Sequence, residues 1–159
     1  MGKMTHLKNK TKYYDEGINL LKNILSLETK WLIELLIHSI DRVKDTLSIK
    51  CETSLQSTHF SEVSHDLQLD AGEWALYLTQ AANGTHYLNP ITGKHLFSNE
   101  KFQEANLILE YFHPDLDIPN ERNFSLNLSN SIVETICRYG VDQVSKFLQR
   151  GSIVEARHV

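Results

Sequence analysis

The sequence predicts an α/β fold with a small, mostly parallel sheet of about three strands covered by helices. Three observations carry that reading. Apolar residues recur at helical spacing along most of the chain, and three short strand-like runs interrupt them. Those runs are separated by helices rather than by tight turns, which favours parallel pairing. The length of 159 residues suits one domain, large enough to bury about two thirds of its unfolded surface.

The first helix follows from Ile18, Leu21 and Leu25 with Leu20 and Ile24 beside them, giving a helix over about 15–26 in which Gly17 is a tolerated weakness. Trp31, Leu32, Leu35, Leu36, Ile40, Val43 and Leu47 then form a longer stripe. Ile33 and Ile37 widen it so far that this helix is expected to be central. SIKCETS (48–54) sets Ile49 and Cys51 two apart, the spacing of one strand face, and reads as a strand. Residues 55–70 have little periodicity and read as a long loop.

Helical spacing returns through Trp74, Ala75, Tyr77, Leu78 and Ala81, and Asn83-Gly84 suits a left-handed helix end. THYL (85–88) is a second strand. Ser98 caps a short helix, and NLILEYFHP is a third strand, apolar on both faces and so internal. DLDIPNERNFSLNLSN is loop. In SIVETICRYG, Ser131 and Glu134 fit a reciprocal capping box, Gly140 closes that helix, and Gly151 closes the last one. The domain limits are a basic N-terminal arm over 1–13, a single domain over 14–151 and a C-terminal tail over 152–159.

Composition narrows the function classes. Hydrophobic content of 41% with 23% charged residues is that of a globular protein, and no apolar run reaches the roughly 18 residues that a membrane span needs. The N-terminus has lysines but no apolar stretch behind them, so it does not read as a signal peptide. Cys51 and Cys137 read as reduced, partly buried thiols. Residues 1–30 carry six lysines against Asp15, Glu16 and Glu28, a net of +3, and read as a solvated, partly frayed arm. Without an accompanying aromatic-and-arginine pattern this does not indicate nucleic acid.

Chemistry concentrates in GTHYLNPITGKHLF (84–97). Pro90 biases Asn89 away from the α region and presets its own φ, and Gly93 is expected to take a positive φ, so the chain reverses there. In a parallel sheet this turn lies at the carboxyl end of a strand, where open α/β sheets keep their ligands. Tyr87, Asn89, Pro90, Gly93 and Lys94 are therefore the expected ligand-binding residues. His95 and Glu100 are the candidates for acid–base work. Ser131 and Glu134 read as a helix cap, with the free amides there open to an anion. His59 and His65, and His86 and His95, lack the spacing of a metal site, no cofactor is indicated, and there is no P-loop or Gly-x-Gly-x-x-Gly segment. Trp31 and Trp74 read as core residues.

YLNPITGKHLF, then FQEANLILEYF, then NFSLNLSNSIVETICRYG resembles the WbqC-like protein family in both order and spacing, and WLIELLIHSIDRVKDTLSIKCETS resembles its helix-then-strand unit. The resemblance implies a bacterial, cytoplasmic protein of surface-polysaccharide (O-antigen type) biosynthesis. It would be a transferase, or part of one, moving an acyl or aminoacyl group onto a small-molecule or sugar-linked substrate. Family members begin with a His-Gln-Pro-Tyr-like segment that this chain lacks, which implies a fragment, a degraded paralogue or a partner-dependent half. Thr92 stands where a glycine is common and Glu134 where an aspartate is common. The alternative is a non-catalytic interaction or scaffold module of the same family, working as a homo-oligomer or with a partner chain that supplies the missing part.

Overall fold

The computed structural model describes residues 2–59, 68–114 and 130–158. In chain order, the helices are α1 (Tyr14–Leu25), α2 (Leu32–Leu47), α3 (Gln56–His59), α4 (Ala71–Ala81), α5 (Asn99–Glu104), α6 (Ile132–Tyr139) and α7 (Val141–Leu148). The strands are β1 (His86–Pro90), β2 (Ile108–Pro114) and β3 (Gly151–Glu155). The long loop expected over 55–70 contains the one-turn α3, and its residues 60–67 lie outside the described residues. So do residues 115–129 of the second expected loop, including His-free NFSLNLS. The α/β class stands. The elements gather into two compact units, Met1–Thr53 with Leu116–Arg150, and Ser54–Asp115 with Gly151–Val159.

The first unit is helical. Leu20 of α1, Leu47 of α2, Val133, Ile136 and Cys137 of α6 and Val144 of α7 share one core with Leu7. Burying each of these large apolar side chains contributes about 1.5–3 kcal/mol. Leu7 lies in a 3-10 helix (Gly2–Leu7) and is 2% exposed, so the segment around it is anchored rather than frayed. Its lysines at 8, 10 and 12 stay exposed while Leu7 and Met4 anchor the segment to the core.

Gly17 has a role that periodicity did not show. A Cβ there would collide with the Cys137 sulfur and the Val133 carbonyl, so its bare Cα sets how closely α1 approaches α6. The Cys137 thiol donates to the Tyr14 carbonyl at 3.7 Å, and burial pushes its pKa up. This is a packing cysteine, whereas Cys51 is exposed; both are free.

The expectation for α2 needs correction. Only Leu47 is fully buried, with Val43 packed partly against the core, whereas Trp31 is 68% exposed, Leu32 70%, Leu36 49% and Ile40 48%. The apolar stripe is real, but only its C-terminal end meets the core, and Trp31 is not a core residue. The strand expected over 48–54 does not form either. Ser48 adopts the left-handed conformation (φ 56°, ψ 36°), with its amide donating to Asp45 O and the Ile49 amide to Lys44 O at 2.9 Å, a Schellman closure of α2. Irregular backbone with exposed Ile49 and Cys51 follows. Two alternating apolar residues were too few to define a strand.

The second unit holds the sheet, in the order β1-β2-β3. β1 and β2 are parallel, with Tyr87 opposite Leu109 and Asn89 opposite Tyr111. β3 is antiparallel to β2, with Val154 opposite Tyr111 and Gly151 opposite Pro114, so the sheet is mixed. β3 falls in what reads as a C-terminal tail. Gly151 does not close α7, which ends at Leu148; it opens β3 at φ 151°, where a Cβ would collide with the Phe112 ring. As expected, β2 is internal, and Leu109 and Tyr111 join Ala75, Phe102 and Leu107 in the unit's core. Asn83 and Asn106 close α4 and α5 in the left-handed conformation, Asn83 as the sequence suggests.

Candidate functional site

The turn after β1 is a short 3-10 helix, Ile91–Leu96, that begins where Pro90 (φ −58°) ends the strand. Because β1 and β2 are parallel, it lies at their shared carboxyl edge. Gly93 does not adopt a positive φ; among the described glycines Gly140 and Gly151 do. It is needed for space, since a Cβ at Gly93 would collide with the Asn89 amide nitrogen. That nitrogen donates to the Pro90 carbonyl at 3.0 Å. Asn89 and Gly93 thus shape the bend through side-chain contact rather than through left-handed backbone, and Thr92 sits exposed in the 3-10 helix at no cost in φ.

Beneath the bend, Tyr87 is clasped by two rings, Phe97 at 5.3 Å and Phe102 at 5.7 Å between centroids. Burial raises its pKa, so the phenol stays protonated. Beside it, Tyr111 reaches the Lys94 carbonyl with its hydroxyl at 3.5 Å, tying the 3-10 helix to the central strand.

A hollow of about 240 Å³ opens next to this turn, where the 3-10 helix meets the N-termini of α4 and α5. His95, Ser98, Lys101, Glu73 and Asp70 supply its polar atoms, and Phe97 and Phe102 part of its apolar wall. Gly72 lets α4 come this close, since a Cβ there would collide with the Leu96 carbonyl. Two of the expected residues meet the hollows found here: His95 lines this one, and Tyr87 lines a separate, more open one of about 520 Å³ with Trp74, Leu78 and His86. Asn89, Pro90, Gly93 and Lys94 form the bend but lie outside both linings. Glu100 also lies outside, and Ser98 Oγ donates to it at 2.8 Å. The hydrogen bond from its own backbone amide, and then that from Ser98, hold its pKa down, which suits an anchoring carboxylate better than a proton donor.

Sequence reasoning missed Asp70, Glu73 and Lys101. The Asp70 side chain accepts from the Glu73 amide at 2.8 Å, and Glu73 accepts from the Asp70 amide at 3.1 Å, a reciprocal capping box. Glu73 also accepts from Lys101 Nζ at 2.8 Å. The Asp-x-x-Glu spacing at the start of α4 was the available signal. The box expected at Ser131 is only half formed: Ser131 accepts from the Glu134 amide at 3.2 Å, but the Glu134 carboxylate turns to Arg138, at 2.6 and 3.0 Å. Among the described residues, no group of three His, Cys, Asp or Glu side chains could hold a metal ion; His65 lies outside the described residues. No helix among them is long and apolar enough to cross a membrane.

The WbqC-like family model matches residues 1–146. This chain belongs to the WbqC-like protein family. No curated protein and no solved structure matches it. In this WbqC-like chain the whole hollow beside His95 falls within the matched range, and β3 lies beyond it.

Electrostatics at the hollow centre on one exposed ion pair. The Lys101 hydrogen bond, followed by that from the Asp70 amide, holds Glu73 below the usual carboxylate range, and Glu73 in turn raises Lys101. A lowered carboxylate pKa means that the folded state binds its proton less readily than the unfolded chain. The stabilisation is therefore present above the ordinary carboxylate pKa and is lost as pH falls through the lowered value. We predict that Glu73→Gln lowers Tm at neutral pH, and that the gap to wild type closes on acidification below about pH 4. Thermal melts across that range check this, and a gap that stayed constant as pH fell through and below the ordinary carboxylate range would contradict the ion pair.

Proposed function

We propose that this WbqC-like chain is a transferase, or part of one, acting in the cytoplasm on a sugar-linked intermediate of bacterial surface-polysaccharide assembly, with the hollow beside His95 as its ligand site. The observation that carries the reading is the meeting of His95 with the Lys101–Glu73 pair in a hollow at the carboxyl edge of a parallel strand pair. Open α/β sheets bind ligands at such edges. The polysaccharide context rests on what resemblance to the WbqC-like family suggests.

In an acyl or aminoacyl transfer, His95 would take the proton of the attacking sugar hydroxyl or amine as that atom bonds to the acyl carbon. The donor's leaving group would depart with the electron pair of the broken bond. The Lys101 hydrogens not engaged by Glu73 would face the oxyanion that develops. Lys94 and the Asn89 carbonyl oxygen, on the exposed bend, would meet the outer part of the substrate.

The test is thermal stabilisation of the full chain by nucleotide sugars and by acyl or aminoacyl donors. A ligand at a hundredfold excess over its Kd adds about 2.7 kcal/mol, a rise of roughly 5 °C or more. Lys101→Met and Asn89→Ala should reduce that rise, and His95→Gln should abolish turnover while binding persists. Absence of any shift across both ligand classes would remove the proposal.

One observation favours the second reading, an interaction module. Trp31, Leu32, Leu36 and Ile40 line up as an exposed apolar stripe along α2. A chain that used this stripe to pair would run as an oligomer in light scattering, and Leu36→Glu would return it to the monomer mass.

A further inference from the structure

The sheet order β1-β2-β3 leaves two edges, and the chain treats them differently. β1 ends at Pro90, which has no N–H to offer, and α4 packs against that strand. β3 carries neither of the commonest devices that blunt an edge, since Gly151, Ser152, Ile153 and Val154 include no proline and no charge. The first three are exposed, Ile153 at 56%. Its ladder with β2 runs without a bulge from Gly151 opposite Pro114 to Glu155 opposite Glu110. Such an edge presents a row of unpaired amides and carbonyls, a template for another strand.

We infer that β3 pairs with β3 of a second copy, antiparallel about a twofold axis at Ile153, so that two three-stranded sheets become one. The occupant is a second copy because the strand is complementary to itself. With Ile153 set against its counterpart, Ser152 faces Val154 of the second copy and Gly151 faces Glu155. The one charged residue of the strand is thereby placed opposite a glycine, and the two carboxylates stand at opposite ends of the contact, each already held by Arg157 at 2.6 Å. Parallel pairing in register would set one Glu155 beside the other, a destabilising like-charge pair.

Apolar contact reinforces the ladder. Ile153 lies opposite Phe112, on the sheet face that also carries Gly151, where the Phe112 ring fills the place of the missing Cβ. Across the axis the two Ile153 side chains meet, giving a row that runs from one Phe112 through both isoleucines to the other Phe112. Aromatic and β-branched neighbours of this kind are the stabilising cross-strand pairs of sheets. The strand lies beyond the residues that the family model matches, so the contact is inferred for this chain alone. It uses neither the hollow beside His95 nor the stripe of α2, and it depends on neither reading of them.

A five-residue ladder is at the small end of specific interfaces, so a dimer Kd on the order of 10 μM is expected. Sedimentation equilibrium of the full chain over about 1–200 μM brackets that value and should show monomer passing to dimer. Ile153→Lys and Ile153→Glu, at an exposed position, should each weaken the dimer by at least about tenfold, because like charges then meet at the axis. Mixing the two variants should restore a dimer between them, a rescue that misfolded chains could not give. A monomer throughout the range, a dimer that neither variant weakens, a mixture that associates no better than its components, or a dimer dissolved by Leu36→Glu alone would each overturn the inference.

Discussion

Replacing Phe102 by alanine is expected to cost about 3–5 kcal/mol, the range for removing a fully buried aromatic side chain. Phe102 is 1% exposed, lies in the core formed with Leu107, Leu109 and Tyr111, and lines the hollow beside His95. Its ring contacts both Tyr87 and Phe97, whose centroids lie 5.7 and 6.3 Å away, so its loss removes the support of the whole aromatic cluster under the bend. Urea unfolding followed by Trp74 emission, in a Trp31→Phe background, reports on this unit. His95→Gln in the same background should change stability by less than about 0.5 kcal/mol, as expected for an exposed residue. A Phe102→Ala loss below about 1 kcal/mol would mean that the cluster is not the core of this unit.

Gly17→Ala is expected to destabilise the helical unit by about 1–3 kcal/mol, the scale of overpacking a tight contact. The sign makes this a sharp test. In a helix interior, glycine to alanine ordinarily gains about 1 kcal/mol through propensity, and Gly17 lies inside α1. The added methyl would have to displace the Cys137 sulfur and the backbone carbonyl of Val133, neither of them a flexible side-chain end. Unfolding followed by circular dichroism in Gly17→Ala and in the double variant Gly17→Ala/Cys137→Ala separates the two contributions. The double variant should recover the part due to the sulfur and keep the part due to the carbonyl. Stabilisation by Gly17→Ala alone would show that α1 and α6 are not held this close.

Much of the local structure was legible in the sequence because it rests on local rules. α1, α4 and β2 follow from periodicity, and the Asn-Pro dipeptide marks the end of β1 where the backbone turns. What was illegible depends on contacts far apart in the chain. β3 is short, its Ile153 is exposed, and only pairing with β2, some forty residues earlier, makes it a strand. The stripe of α2 states that the helix is apolar but not which part of it the core covers. Gly17 and Gly93 look like conformational residues, yet both are required for space, which only the neighbouring Cys137 and Asn89 reveal.

The site shows the same division. His95 was reached from its place beyond the turn. Lys101 and Glu73 were not, because they meet through an ion pair across twenty-eight positions. Asn89 and Gly93 shape the bend, so the reading of them as turn residues holds. The hollow itself is built by the neighbouring helix N-termini.

The central claim is that the hollow between the 3-10 helix and the N-termini of α4 and α5 is where this WbqC-like chain takes its ligand. Amide chemical-shift mapping by NMR, during titration with a nucleotide sugar or acyl donor that stabilises the protein, addresses it most directly. The account predicts that the largest shifts cluster at Asp70–Glu73 and at His95–Lys101. Large shifts confined to the helical unit, with those two segments unmoved, would contradict it.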